Sequence, residues 1–369
     1  MQYDLIIAGA GLSGLSLAVE LKNLNYQGKV LIIDKKKQFT NDRTWCGWGF
    51  NEYIPQSLIK YQWKKLAITT ETNAHIHVCQ HSPYFMVDTI GFYQHCLNQL
   101  LTPQFDIKLN EEIISMGPPL VTVKQEYYAQ CYVDTLTLPT QTHAIMKQHF
   151  LGLECEFDRE LENPEQAILM DFRVDQSQGL CFMYCLPFSS HSALLEITYF
   201  SEKILDEESY LKQINDYCMK YIGSIKQIKH REFGVIPMEV SKMPPMSNNI
   251  IYFGTKGGCT RPGTGYTFQT ILKHAGELAQ AIIENKPWQP CYFKKWQLLV
   301  DDIFLDALKC NPPDKTQIML VNIFKKLSPV MAERFMMNNH SLSDMIQIGA
   351  CMPKKMLLKS SYNKLIKQQ

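Results

Sequence analysis

A chain that runs from a buried strand through a glycine-spaced turn into a helix has few ways to fold, and residues 1–34 follow that course. Tyr3-Asp4-Leu5-Ile6-Ile7-Ala8 is a short apolar run with β-branched isoleucines, the pattern of a buried strand. It enters Gly9-Ala10-Gly11-Leu12-Ser13-Gly14, after which Leu12, Leu15, Ala18, Val19 and Leu24 suit a helix packed on a sheet. Val30-Leu31-Ile32-Ile33 is a second strand and ends in Asp34. Gly9 permits the tight turn, Gly11 lets backbone approach a pyrophosphate, and Gly14 lets the helix pack on the strand. The helix N-terminus adds free N–H groups and partial positive charge. Asp34 stands where a carboxylate accepts hydrogen bonds from a ribose diol. The frame predicts a bound dinucleotide. The alternative is a glycine-rich turn in an α/β protein that binds nothing, and the motif does not by itself separate FAD from NAD.

The 369 residues suffice for two or three lobes or one large two-layered unit. A hydrophobic fraction of 46% with 20% charged residues is that of a globular chain. A formal net charge of +1, with no basic stripe interleaved with aromatics, gives no case for nucleic acid. The 12 cysteines form no CxxC pair; Cys181 and Cys185 share one face of a predicted strand and read as packing. With strand one beginning at once and no apolar run of roughly 18 residues, the expectation is a cytoplasmic chain with reduced thiols, no leader and no membrane span. His75, His77 and His81 alternate without a nearby acid or thiol pattern, so no metal site is assigned.

Further along, Asn41-Asp42-Arg43-Thr44-Trp45-Cys46-Gly47-Trp48 reads either as a tryptophan-anchored loop or as a loop that meets the cofactor, with Arg43 near phosphate or flavin. A hairpin is expected over 65–78 and helices over 89–101 and 206–222. Residues 149–200 read as successive strands with short connections, a mostly antiparallel sheet. The strand Asn249–Phe253 opens into Gly254-Thr255-Lys256-Gly257-Gly258, then Arg261-Pro262-Gly263-Thr264-Gly265 and a long helix. This second phosphate-friendly turn favours FAD over NAD, because glutathione-reductase-like nucleotide folds bring such a stretch back along the flavin. The expected cofactor-binding residues are therefore Gly9, Gly11, Gly14, Asp34, Arg43, Gly254, Thr255, Gly257, Gly258, Pro262, Thr264 and Gly265. The fold class is α/β: a glutathione-reductase-like FAD-binding Rossmann fold with an interwoven, mostly antiparallel substrate-binding sheet and a C-terminal helical segment. Residues 1–60 with 230–285 are expected to form the FAD-binding part, 61–229 the substrate region and 286–369 the helical part.

These stretches resemble the bacterial lycopene cyclases. The resemblance is carried by Asn41–Cys46, Gln148-His149-Phe150-Leu151-Gly152, Met170-Asp171-Phe172, Leu186-Pro187-Phe188-Ser189, Leu195-Glu196-Ile197-Thr198, Phe233–Met238 and the loop from Gly254 to Phe268. Ile197 departs from members with a second acid there, and Thr255 stands where many broader flavoproteins carry Asp. The resemblance implies carotenoid biosynthesis: lycopene is cyclised at its ψ-ends to β-ionone rings without net redox change. It implies Glu196 as the catalytic acid, FAD active in its reduced form, and NADPH or another donor as reductant.

The residues support this chemistry in their own right. Protonating a hydrocarbon double bond requires a carboxyl that burial keeps protonated, and Glu196 lies in the apolar run Ala193–Thr198. Its flanks Leu195 and Ile197 face the opposite way, so a solvent-facing Glu196 fits the spacing equally well. Trp48, Tyr184, Phe188 and Tyr199 are read as core. A flavin-dependent monooxygenase or reductase acting on a lipid or aromatic substrate is the alternative enzyme, and a non-catalytic flavin- or carotenoid-binding protein the alternative class. The tail beyond Pro353 pairs five lysines with one apolar helical face. It suggests peripheral contact with the inner membrane face, or a solvated terminal helix.

Overall fold

The computed structural model describes residues 2–49, 53–80, 82–136, 146–239, 249–288, 290 and 292–351. His81 and the tail beyond residue 351 lie outside these. In chain order the first elements are β1 (Gln2–Ala8), α1 (Leu12–Asn23), β2 (Val30–Ile33), β3 (Cys46–Trp48), β4 (Ile59–Trp63) and β5 (Lys65–Thr69). There follow β6 (Ala74–Val78), β7 (Tyr84–Val87), α2 (Thr89–Gln99), β8 (Phe105–Lys108), β9 (Ile113–Ser115), β10 (Leu120–Thr122) and β11 (Glu126–Asp134). The middle of the chain forms β12 (Lys147–Phe157), β13 (Gln166–Asp171), β14 (Leu180–Ser189), β15 (Ser192–Ser201), α3 (Glu207–Tyr221) and β16 (Ile225–Pro237). Last come β17 (Ile250–Tyr252), α4 (Phe268–Ile283), α5 (Lys295–Cys310), α6 (Pro313–Lys326), α7 (Pro329–Met336) and α8 (Leu342–Cys351).

The first sheet has the order β8-β2-β1-β11-β10-β9, with β17 also on β11. Its pairs β2–β8, β1–β2, β1–β11 and β11–β17 are parallel. Such strands are covered on both faces, which is why β1 from Leu5 to Ala8 and β2 are continuous apolar runs. Leu5, Ile7, Val30 and Ile32 pack with Leu15 and Ala18 of α1 and Ala275 and Leu278 of α4. Ile6, Ala8, Leu31 and Ile33 face Leu120, Tyr127 and Tyr132.

The second sheet runs β16-β12-β15-β14-β13-β5-β6, antiparallel except for the parallel pair β13–β5. Leu195 and Ile197 of β15 pack with Tyr210 and Ile214 of α3. The opposite face, with Phe182, Leu186 and Leu194, packs towards Leu305, Leu308 and Leu320 of α5 and α6. A small third sheet, β3-β7-β4, lies between. Cys181 and Cys185 are buried free thiols of the second sheet's core. His77 stacks on Phe324 with ring centroids 3.8 Å apart, and no cluster able to hold a metal occurs among the described residues.

The expected division of the chain at residues 61 and 229 is not a division between sheets. Strands β8 to β11, within 61–229, belong to the first sheet, and β16, counted with the nucleotide part from residue 230, is the edge of the second. The reason is topological: β11 inserts beside β1, so a distant segment completes the parallel core.

Candidate active site

At the end of β1 the chain turns at Gly9 with φ +106°, and a side chain there would stand 2.6 Å from Thr135 Oγ1. A Cβ on Gly14 would lie 2.0 Å from the Gly9 carbonyl oxygen, so this glycine lets α1 close on the turn. Gly11 caps α1, and nothing lies within 4 Å of where its Cβ would be. That open side, at a helix start without an acidic side chain in its first turn, is a cradle for an anion. Asp34 leaves β2 and accepts hydrogen bonds from Ala10 N–H (2.7 Å) and Lys36 N–H (2.8 Å), tying the turn to the second strand.

These residues open onto a cavity of ≈ 920 Å³ that extends as far as β15. Of the sequence-predicted cofactor residues, Gly9, Gly11, Asp34, Arg43, Thr255, Thr264 and Gly265 line it. Gly14, Gly254, Gly257, Gly258 and Pro262 do not: Gly254 lies against Ser13, and Gly257 against Tyr252 and Phe253, so these two pack the β17 turn onto its neighbours. Arg43 donates to Asp42 O (3.1 Å) and lies 3.7 Å from Glu232 Oε1. A Cβ on Gly265 would stand 2.5 Å from Gln148 Oε1, a buried acceptor without a hydrogen-bond partner among the described residues. The anion cradle and this unmet acceptor in the same cavity wall fit FAD, whose phosphates and ring N–H would satisfy them.

The other end holds Glu196. Its carboxyl faces the cavity and accepts a hydrogen bond from Thr198 Oγ1 at 3.1 Å. Burial, and after it the charge of Glu232, pushes its pKa up to about 8, so the carboxyl holds its proton at neutral pH. The solvent-facing alternative is excluded by packing: α3 covers the Leu195 and Ile197 face, and the Glu196 face lines the cavity.

Against this cavity lies a second, strongly apolar one of ≈ 690 Å³ between the second sheet and the C-terminal helices. Gln148, Tyr184, Thr264 and Tyr266 line both. Tyr184 and Trp48, read from sequence as core, are cavity walls, whereas Tyr199 is buried on the α3 side and Phe188 stacks on Tyr61 at 4.3 Å. Sequence reasoning gave Arg261 and Glu232 no role. Arg261 is 1% exposed, makes a two-point ion pair with Asp301 (2.9 and 3.0 Å) and donates to Phe335 O (2.5 Å), fixing the flavin-type loop to α5 and α7. An arginine beside a glycine-rich loop and an acid on a distant helix offer no periodic signal that would pair them.

The fold is of the FAD-binding Rossmann type, and its two-ended cavity sets the Glu196 carboxyl across from the nucleotide turn. The fold is shared with a geranylgeranyl bacteriochlorophyll reductase-like protein of Thermoplasma acidophilum, with TM-score 0.67 and 11% identity over 97% of this chain and 98% of that one. It is shared also with a flavoprotein/dehydrogenase of Cytophaga hutchinsonii, with TM-score 0.63 and 11% identity over 99% of this chain and 100% of that one. The chain belongs to the lycopene cyclase protein family, whose model matches residues 4–361. A lycopene beta-cyclase of Pantoea ananas is 24% identical over 295 residues, 75% of this chain and 74% of that one.

Proposed function

We propose that this protein is a lycopene β-cyclase that closes β-ionone rings on the ψ-ends of lycopene, giving γ- and β-carotene, by redox-neutral acid catalysis. The observation that carries the reading is Glu196: a carboxyl kept protonated in the wall of the cavity that the dinucleotide turn also lines. A polyene hydrocarbon offers no hydrogen-bonding handle, so the site must bind by apolar contact and exclude water. The second cavity, walled by residues such as Leu169, Phe304, Leu320 and Phe324, suits the chain, and its junction at Tyr184 and Tyr266 leads an end group towards Glu196.

Glu196 gives its proton to C2 of the terminal C1=C2 bond. The C5=C6 bond attacks the cation at C1, and loss of the C6 proton leaves the ring double bond. Tyr184 and Tyr266 present aromatic walls beside this charge. Gly9, Gly11, Asp34, Thr255, Thr264 and Gly265 would hold FAD, which when bound in its reduced form supplies electron density near the cation. NADPH or another donor is the reductant on this reading. Peripheral contact with the cytoplasmic face of the membrane follows from a substrate that lives in lipid. It is supported by Leu299, Leu342 and Ile346, which line the apolar cavity and are 44, 60 and 74% exposed. No helix among the described residues is long and apolar enough to cross a membrane.

Expression in a lycopene-accumulating bacterium tests the proposal. Cyclised carotenoid is expected with the native chain and not with Glu196→Gln. Unchanged lycopene beside a folded, flavin-loaded native protein refutes it, and a hydroxylated or reduced product favours the monooxygenase or reductase alternative.

A further inference from the structure

The acid is not alone on its face of the sheet. Gly152, in β12, is the register partner of Glu196 in β15 on one side and of Glu232 in β16 on the other. Residues directly opposite across antiparallel strands point to the same face, so both glutamates point to the side that lines the larger cavity. Two strand spacings separate their backbones, roughly 10 Å. The residue between them has no side chain, and a Cβ on it would come within 3.3 Å of Glu196 Oε2. Nothing from β12 shields one carboxyl from the other.

Their surroundings are unequal. Glu232 has a side chain only 5% exposed, accepts the Thr44 N–H at 2.8 Å, and has Arg43 Nη1 at 3.7 Å. Among the described residues Glu196 receives only the Thr198 hydroxyl. The other polar or titratable groups whose fields reach the pair are Cys46 of β3, Tyr184 of β14, Tyr266 of the second glycine loop and His230 of β16. Burial raises the Glu232 carboxyl above its ordinary value, as it does Glu196, but the Thr44 N–H and the Arg43 guanidinium pull it back towards the ionised form, so a single negative charge on the pair resides on Glu232.

We propose that Glu232 is a positioning residue that works through Glu196: it carries the standing negative charge of the pair, keeps the proton on Glu196 before ring closure, and draws it back afterwards. The inference rests on the cyclase reading for its chemistry. The Glu196 O–H breaks as the C2–H bond forms, and the C1–C6 bond forms from the C5=C6 electrons. The C6–H bond then breaks, its electrons restore C5=C6, and its proton returns to the Glu196 carboxylate. No proton or electron is gained or lost. While Glu196 is ionised it faces a second carboxylate across Gly152, and this repulsion makes it a stronger base for the last step.

Isotope-edited infrared titration of the FAD-loaded full chain, with 13C-labelled glutamate, tests this without turnover. The carboxyl band missing in Glu196→Gln identifies Glu196. In Glu232→Gln its midpoint is expected to fall by at least about one pH unit, and in Glu232→Asp, which keeps the charge, to stay near the native value. The high-pH limb of lycopene conversion should move with the midpoint. An unmoved midpoint in folded Glu232→Gln overturns the proposal. Should that variant not fold, the native protein decides: the Glu196 band should change frequency as a second carboxyl ionises at lower pH, and a single isolated step overturns the proposal. If the native chain makes no cyclised carotenoid, the cyclase reading fails while the titration still reports on the pair.

Discussion

At the scale of single residues, the site exchanges stability for a proton. Glu196 binds its proton in the native state up to about pH 8, whereas the unfolded chain releases it near the ordinary 4.5. Between these values the native state holds more protons, so stability contributed at low pH is lost as pH rises through the window. Glu196→Gln removes the titration. The variant is expected to show a flatter stability–pH profile and to exceed the native protein at pH 8 by about 2–4 kcal/mol, while inactive. Equal unfolding free energies at pH 8 would contradict this. Gly9 and Gly14 show the other residue-scale constraint, close backbone approach, which their spacing in the sequence already expressed.

At the scale of elements, the dinucleotide frame was readable because strand, turn and helix are consecutive and their apolar periods differ. The hairpin expected over 65–78 is β5–β6, with Lys65 opposite Val78. The helix expected over 206–222 is α3, capped by Asp206 accepting from Ser209 N–H at 2.8 Å. The loop at Arg261 was recognisable as a turn, but its anchor was not, because Asp301 sits 40 residues on in another helix. Asp301→Ala leaves the buried guanidinium, among the described residues, with the Phe335 carbonyl and ring in place of a carboxylate. A loss of about 3–5 kcal/mol in denaturant unfolding is expected, with reduced flavin retention because Thr264 and Gly265 lose their support. An unchanged midpoint with full flavin content would show that the pair is dispensable.

At the scale of the whole molecule, the apolar cavity and the exposed apolar residues at its rim lie on the same helices. Vesicle flotation with anionic lipid is expected to recover the full chain, and to recover much less of Leu342→Glu/Ile346→Glu. A chain ending at Met352 separates this face from the basic tail: equal loss in both identifies two contacts, and no loss in either removes the membrane proposal. The nucleotide frame of residues 1–34, the second glycine turn and the core cysteines Cys181 and Cys185 are legible in the linear chain, because each depends on neighbours in sequence, whereas Glu196 stands out as the expected acid through the family resemblance, since spacing alone fits a solvent-facing side chain equally well. Which face of β15 is dry, that Glu232 stands across Gly152 from Glu196, and that residues 126–134 complete the parallel sheet are consequences of strand order and register. These are set by long-range pairing and by what α3 and the C-terminal helices cover, and a period-two pattern is the same for a strand facing solvent as for one facing a cavity.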